Sequence, residues 1–179
     1  MVRFDDLGVS FAVPSGMRVI GDDELAARIR STANPRVTAD LKRRAAQGRG
    51  LPLLTLANEK ESTDNVGLTL IVAAVPEDTS ATELMNQQLA VLKDNLTEFA
   101  VTEGPTAKML DGVSGAEVAH AYVLQGPRGP SKSHARMRIF VRKGRAFVLT
   151  VVWPEPAHAD TDLQASALLE GLHFYDPAP

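Results

Sequence analysis

The sequence predicts an α+β fold built on a largely antiparallel sheet flanked by helices. Three observations point to it. The segments between residues 99 and 153 are strand-like and joined by short links, Asp111-Gly112 and Arg142-Lys-Gly-Arg145 among them. A parallel return needs a dozen or more residues, so neighbours so linked run antiparallel. One strongly amphipathic helix, Ser80 to Leu96, and a second near Asp160 to Glu170 are segregated from these strands rather than alternating with them, which favours α+β over a doubly wound sheet.

Taken in order, Val9, Phe11 and Val13 alternate with smaller residues in a strand rhythm, and Pro14-Ser-Gly16 turns the chain into a second short strand, Met17 to Ile20. Asp22, Asp23 and Glu24 suit a helix N-terminus, where carboxylates meet the positive end of the dipole. That helix should stop before Asn34-Pro35, because the residue preceding proline is pushed out of the α region. Pro35 can open another helix running to about Gln47, with Val37, Leu41 and Ala45 on one side and its arginines in water. Leu51 to Asn58 and Gly67 to Val75 are strands around a long polar loop. Ser80 and Glu83 form a capping-box signature, and Ala81, Met85, Leu89, Leu92 and Leu96 recur at helical spacing. Further strands are Phe99 to Glu103 leading into Thr106 to Leu110, then Gly115 to Leu124, Ser133 to Val141 and Ala146 to Trp153. Thr161 and Gln164 cap the last helix, Gly171 ends it, and Leu172 to Tyr175 adds a short edge strand.

The 179 residues suit a single domain, residues 1–179, with a sizeable core. The absence of cysteine excludes a disulfide framework, a thiolate zinc site, an iron-sulfur cluster and a cysteine nucleophile. The longest apolar stretch, Leu68 to Val75, is far short of the ~20 residues of a spanning helix. Residues Met1 to Asp6 lack the basic start and apolar stretch of a secretory signal, so a cytoplasmic location is expected. The formal charge is −3, which argues against a nucleic-acid-coating protein. That small total conceals an asymmetry. Residues 28–49 hold seven basic groups and one acid, residues 128–145 hold seven basic groups and no acid, and the remainder carries 5 basic and 21 acidic groups.

The opening Gly8-Val-Ser-Phe-Ala-Val-Pro-Ser-Gly-Met17, the Ser80 to Leu96 helix, the strand Gly144-Arg-Ala-Phe-Val-Leu-Thr-Val-Val152 and the closing Leu168-Leu-Glu-Gly-Leu-His-Phe174 together resemble the PsbP/DcrB-like group. The resemblance spans about Phe4 to Phe174 and implies an α/β/α sandwich, the architecture shared by photosystem extrinsic proteins, a Ran-binding nuclear import factor and bacterial lipoproteins. It carries no catalytic motif, and the metal-binding positions of the photosystem members find no residue-by-residue match.

Independent chemical motifs are weak. Gly126-Pro-Arg-Gly-Pro-Ser-Lys132-Ser133 invites comparison with a phosphate-binding loop, but Ser131 stands where that motif needs glycine and no helix follows. His158, Asp160 and Asp162 are three possible metal ligands, read instead as an ordinary acidic helix start. No metal or cofactor is expected. Gly112-Val-Ser-Gly115 is not a nucleophile elbow, and no pair of carboxylates can be matched across a cleft, so no catalytic residue is assigned.

Strand parity yields the strongest constellation. His134, Arg136 and Arg138 share one face of their strand, and a loop centred near Gly129 sets Tyr122 opposite Arg136 and His120 opposite Arg138. The expected binding face is therefore His120, Tyr122, His134, Arg136 and Arg138, with Arg36, Arg43 and Arg44 as a secondary basic segment. Phe147, Leu149, Val151 and Trp153 should then share the face of Met137 and Ile139. A two-residue turn at Lys143-Gly144 would put Leu149 opposite Arg138, so a longer turn or a bulge is expected. Arginine offers bidentate geometry to carboxylates and phosphates, so this face suits an acidic protein partner, with no nucleic acid and no membrane span expected. The competing reading is a solvated face whose arginines pair with the chain's own acids. The expectation is thus a non-enzymatic binding domain. One alternative is a chaperone or adaptor gripping apolar client helices, like those of type VI secretion. Another is an enzyme or small-ligand-binding protein with a pocket between sheet and helix.

Overall fold

The computed structural model describes residues 1–21, 23–25, 27, 52–59, 66–126, 129–155 and 161–176. Arg36, Arg43 and Arg44, and the helix expected to open at Pro35, lie outside the described residues. The described elements are β1 (Val2–Phe4), β2 (Val9–Phe11), β3 (Met17–Val19), β4 (Pro52–Asn58), β5 (Gly67–Ala74), α1 (Ala81–Asn95), β6 (Thr97–Leu110), β7 (Val113–Gly126), β8 (Gly129–Arg142), β9 (Arg145–Pro154), α2 (Thr161–Leu169) and β10 (Leu172–Phe174). Seven strands form one sheet in the order β3-β4-β5-β9-β8-β7-β6, and β1-β2-β10 form a small second sheet. Every pairing in both sheets is antiparallel.

Both faces of the large sheet are covered, by different elements. On one, here the α2 face, Leu54, Leu56, Leu68, Leu70, Phe140, Phe147, Leu149, Val151 and Trp153 pack against Ala165, Leu168 and Leu169 of α2 and against Val9, Phe11, Leu172 and Phe174 of the small sheet. The other, the α1 face, places Ala116, Val118, Met137 and Ile139 against Ala81 and Met85. The capping signature works as expected at one of its two bonds: the Ser80 hydroxyl accepts from the Glu83 N–H at 3.1 Å. Close packing makes Gly115 obligatory, since a Cβ there would lie 2.4 Å from the Phe140 ring and 2.7 Å from the Ile139 carbonyl.

Several expected boundaries change. β6 is one 14-residue strand with three register shifts rather than two short pieces. β1 was not expected, and β10 pairs with β2 in the small sheet rather than joining the large one. Two register expectations are overturned. β8 and β9 meet through a two-residue turn, with Arg142 opposite Arg145 and both Lys143 (φ 50°) and Gly144 (φ 67°) left-handed, the geometry that matches strand twist. Arg138 does lie opposite Leu149, on the core face. The expectation failed because it treated arginine as incompatible with an apolar face. The run Ile139-Phe140-Val141 marks a strand buried on both sides.

The second change concerns β7 and β8. Gly126 pairs with Gly129, which sets His120 opposite Ala135, Tyr122 opposite Ser133 and Glu117 opposite Arg138. The shift from the expected register is three residues, an odd number, and a strand displaced by an odd count presents its other set of side chains. The expected five-residue face is therefore split.

Candidate functional site

His134, Arg136 and Arg138 stay together on the α2 face, while His120 and Tyr122 point to the α1 face. His120 is buried between Phe99 and Tyr122, with ring centroids 5.2 and 5.9 Å away, and its Nδ1 has no hydrogen-bond partner among the described residues. Burial pushes its imidazole down to about 4 and the Tyr122 phenol up to about 12, so both are neutral at pH 7. These two are core residues, and they leave the binding face.

Arg138 is also internal. Only 8% of it is exposed, and its guanidinium donates to the Glu117 carboxylate, to the Leu169 carbonyl at 3.0 Å and to Glu170 at 2.8 Å. Leu169 is the last residue of α2, so the cation closes the negative end of that helix and ties it to β7 and β8. Burial works against the Glu117 charge, but hydrogen bonding and attraction from Arg138, aided by Lys108, outweigh it and hold this carboxyl below its usual range. Each of the three guanidinium nitrogens of Arg138 thus donates to an acceptor of the protein itself.

Beyond α2 the same face continues outward as a ridge. Lys132, His134 and Arg136 are partly exposed, and among the described residues each meets one carboxylate of the chain. Glu155 lies 2.7 Å from the Lys132 ammonium and 3.5 Å from His134 Nε2. Glu103, whose side chain is 71% exposed, reaches Arg136 at 3.6 Å. That contact spans an intervening strand: Glu103 pairs with Ala119, which pairs with Arg136, and only a side chain as short as alanine lets the two ends meet. Register shifts on both sides of Glu103 re-aim it toward the ridge. His134 stacks on Trp153, with centroids 6.0 Å apart and planes 21° from parallel. Sequence reasoning missed Glu103, Glu117, Glu155 and Trp153 as members of this cluster. A two-residue turn between Gly126 and Gly129 would have placed Glu117 correctly.

Of the possible metal ligands, Asp162 is exposed at the start of α2, and His158 and Asp160 lie outside the described residues. Among the described residues no helix is long and apolar enough to cross a membrane.

No protein-family model and no curated protein matches the chain. Solved structures do. CyanoP of Synechocystis sp. PCC 6803, a cyanobacterial PsbP, aligns with a TM-score of 0.54 at 14% identity over 95% of this chain and 88% of its own. The fold is PsbP-like. LpqN of Mycobacterium tuberculosis, described as involved in cell envelope biogenesis, aligns at 0.53 and 13% identity over 93% of this chain and 83% of its own. PA94 of Pseudomonas aeruginosa, a protein of unknown function described as a putative regulator, aligns at 0.54 and 9% identity over 65% and 78%. The α+β arrangement expected from the sequence is thus the one these neighbours share.

Proposed function

We propose that the chain is a non-enzymatic interaction domain that meets an acidic protein partner through the outer half of the α2 face, at Lys132, His134 and Arg136. The observation that supports this reading is the contrast within β8. Arg138 is met by two carboxylates and a carbonyl, whereas among the described residues Arg136 has one long contact, to a mostly exposed Glu103. An exposed pair of that kind contributes about 0–1 kcal/mol, so a partner carboxylate can replace it at little cost. As proposed, the domain works without cofactor, metal or nucleic acid, and in the cytoplasm.

An oligo-glutamate peptide is the defined probe, and the single tryptophan, Trp153, is a built-in reporter through its contact with His134. Binding should change Trp153 emission, weaken as salt shortens the Debye length to about 8 Å at physiological strength, and vanish in Arg136→Glu. Equal binding by wild type and variant would sink the reading. Recovery of the protein in the cell envelope on fractionation would overturn the cytoplasmic assignment.

The chaperone alternative draws on one feature of the opposite face. There Ile71, Val148 and Val152 are half-buried beside a row of threonines, Thr55, Thr69 and Thr150, on adjoining strands. Salt-insensitive binding of an apolar helical peptide would favour it.

A further inference from the structure

The ridge also carries information about the shape of what it binds, an inference that rests on the function just proposed. Lys132, His134 and Arg136 are alternate residues of one unbroken strand, so their Cα atoms succeed one another at about 7 Å. Beside them on β7 lie Ala119 and Ala121, opposite Arg136 and His134, and beyond these Ala100 lies opposite Ala121 on β6. These short side chains, with Ala121 buried, Ala119 half-buried and Ala100 exposed, leave the longer cations standing above the sheet beside them. Two carboxylates of the chain already meet these cations, from opposite sides of β8: Glu155 from the β9 side at Lys132, and Glu103, reaching over Ala119 from β6, at Arg136. Neither is deeply held, with side-chain exposures of 40% and 71%.

We infer that the ridge of Lys132, His134 and Arg136 accepts an extended acidic segment of a partner protein with a carboxylate at every second residue, and that Glu155 and Glu103 engage the cations its carboxylates would take. Period two follows from the register: in an extended chain alternate side chains repeat at the spacing of the ridge, and the residues between them turn away. The internal acids weaken binding by competing for the same cations, so an incoming segment must contribute at least two matched carboxylates before it displaces them.

The experiment compares two peptides of equal length, composition and charge, one a Glu-Ala repeat and one with its glutamates in a single block. Affinity is read from Trp153 emission, with wild-type protein and with the double variant Glu103→Gln/Glu155→Gln. The expected result is tighter binding of the alternating peptide, and a further gain of about two- to fivefold in the double variant, the factor that corresponds to losing one or two weak exposed pairs. Equal affinity for the two peptides, or unchanged or weaker binding in the double variant, overturns this inference and leaves the proposed function standing. Failure of both peptides to bind wild type and variant at low salt overturns both readings.

Discussion

The two halves of the α2 face are built from the same strands and put to different ends. Over β4, β5 and β9 the face is apolar, and α2 with the small sheet closes it. Over the outer part of β7 and β8 it is polar, with alanines of β7 beside the cations of β8. Arg138 and Arg136 stand two residues apart on the same side of β8 and fall on either side of the boundary. What separates them is position relative to the C-terminus of α2, because Leu169 and Glu170 reach Arg138. The lesson is that residue type and strand parity do not by themselves make a binding residue. A cation becomes available only where the protein has not already met its donors.

That contrast can be broken by mutation. The largest effect belongs to Arg138→Met, which leaves half-enclosed Glu117 with the more exposed Lys108 at 3.3 Å in place of its main cation, and takes from the Leu169 carbonyl the Arg138 donor. A loss of about 3 kcal/mol is expected, since removing one partner of an enclosed pair leaves an uncompensated charge. Urea denaturation measures it, and an unchanged midpoint would place Arg138 with Arg136 after all. His120 on the opposite face gives a similar magnitude by another route. Its folded-state value of about 4 lies below the ordinary 6.5, so the unfolded chain binds the proton first. Stability is full above about pH 6.5 and falls as pH drops toward 4, by about 3 kcal/mol in all. Denaturation curves at pH 7 and 4.5 should show this loss in wild type and much less of it in His120→Gln. Glu117 adds a lower window. Its depressed value means that its contribution is present above the usual carboxylate range and is lost below it.

Gly115→Ala comes next, at about 1–3 kcal/mol, because the new methyl must displace the Phe140 ring or the β8 backbone. A melting temperature equal to wild type would show that this part of the core yields more easily than its distances imply. The smallest effect on stability is expected for Arg136→Ala, within about 0.5 kcal/mol. The same change should sharply weaken acidic-peptide binding. A large stability loss there would erase the distinction between the two arginines.

Much of the fold was legible in the sequence because local chemistry determined it. The Ser80 cap, the Met85 side of α1 and the short links of the β7 to β9 meander each agree with their surroundings. The site was less legible, and the reason is register. Strand parity alone correctly groups His134, Arg136 and Arg138, but which face of the next strand joins them depends on one turn. A three-residue difference at that turn exchanged His120 and Tyr122 for Ala119, Ala121 and Glu117. The burial of Arg138 was hidden for a different cause: its partners Glu117 and Glu170 are 21 and 32 residues away, and nothing local announces them. Glu103 depends on the register shifts of β6: Gly104-Pro105 marks the one after it, but nothing in the sequence marks the one before it.

The most direct test is a chemical-shift map of the isotope-labelled protein titrated with the alternating acidic peptide. The account predicts that the side-chain signals of Arg136 and His134 and the indole of Trp153 move together, while Arg138, His120 and Tyr122 stay in place. Movement centred on His120, Tyr122, Ile71 and Val148 would contradict it and transfer the binding function to the opposite face of the sheet.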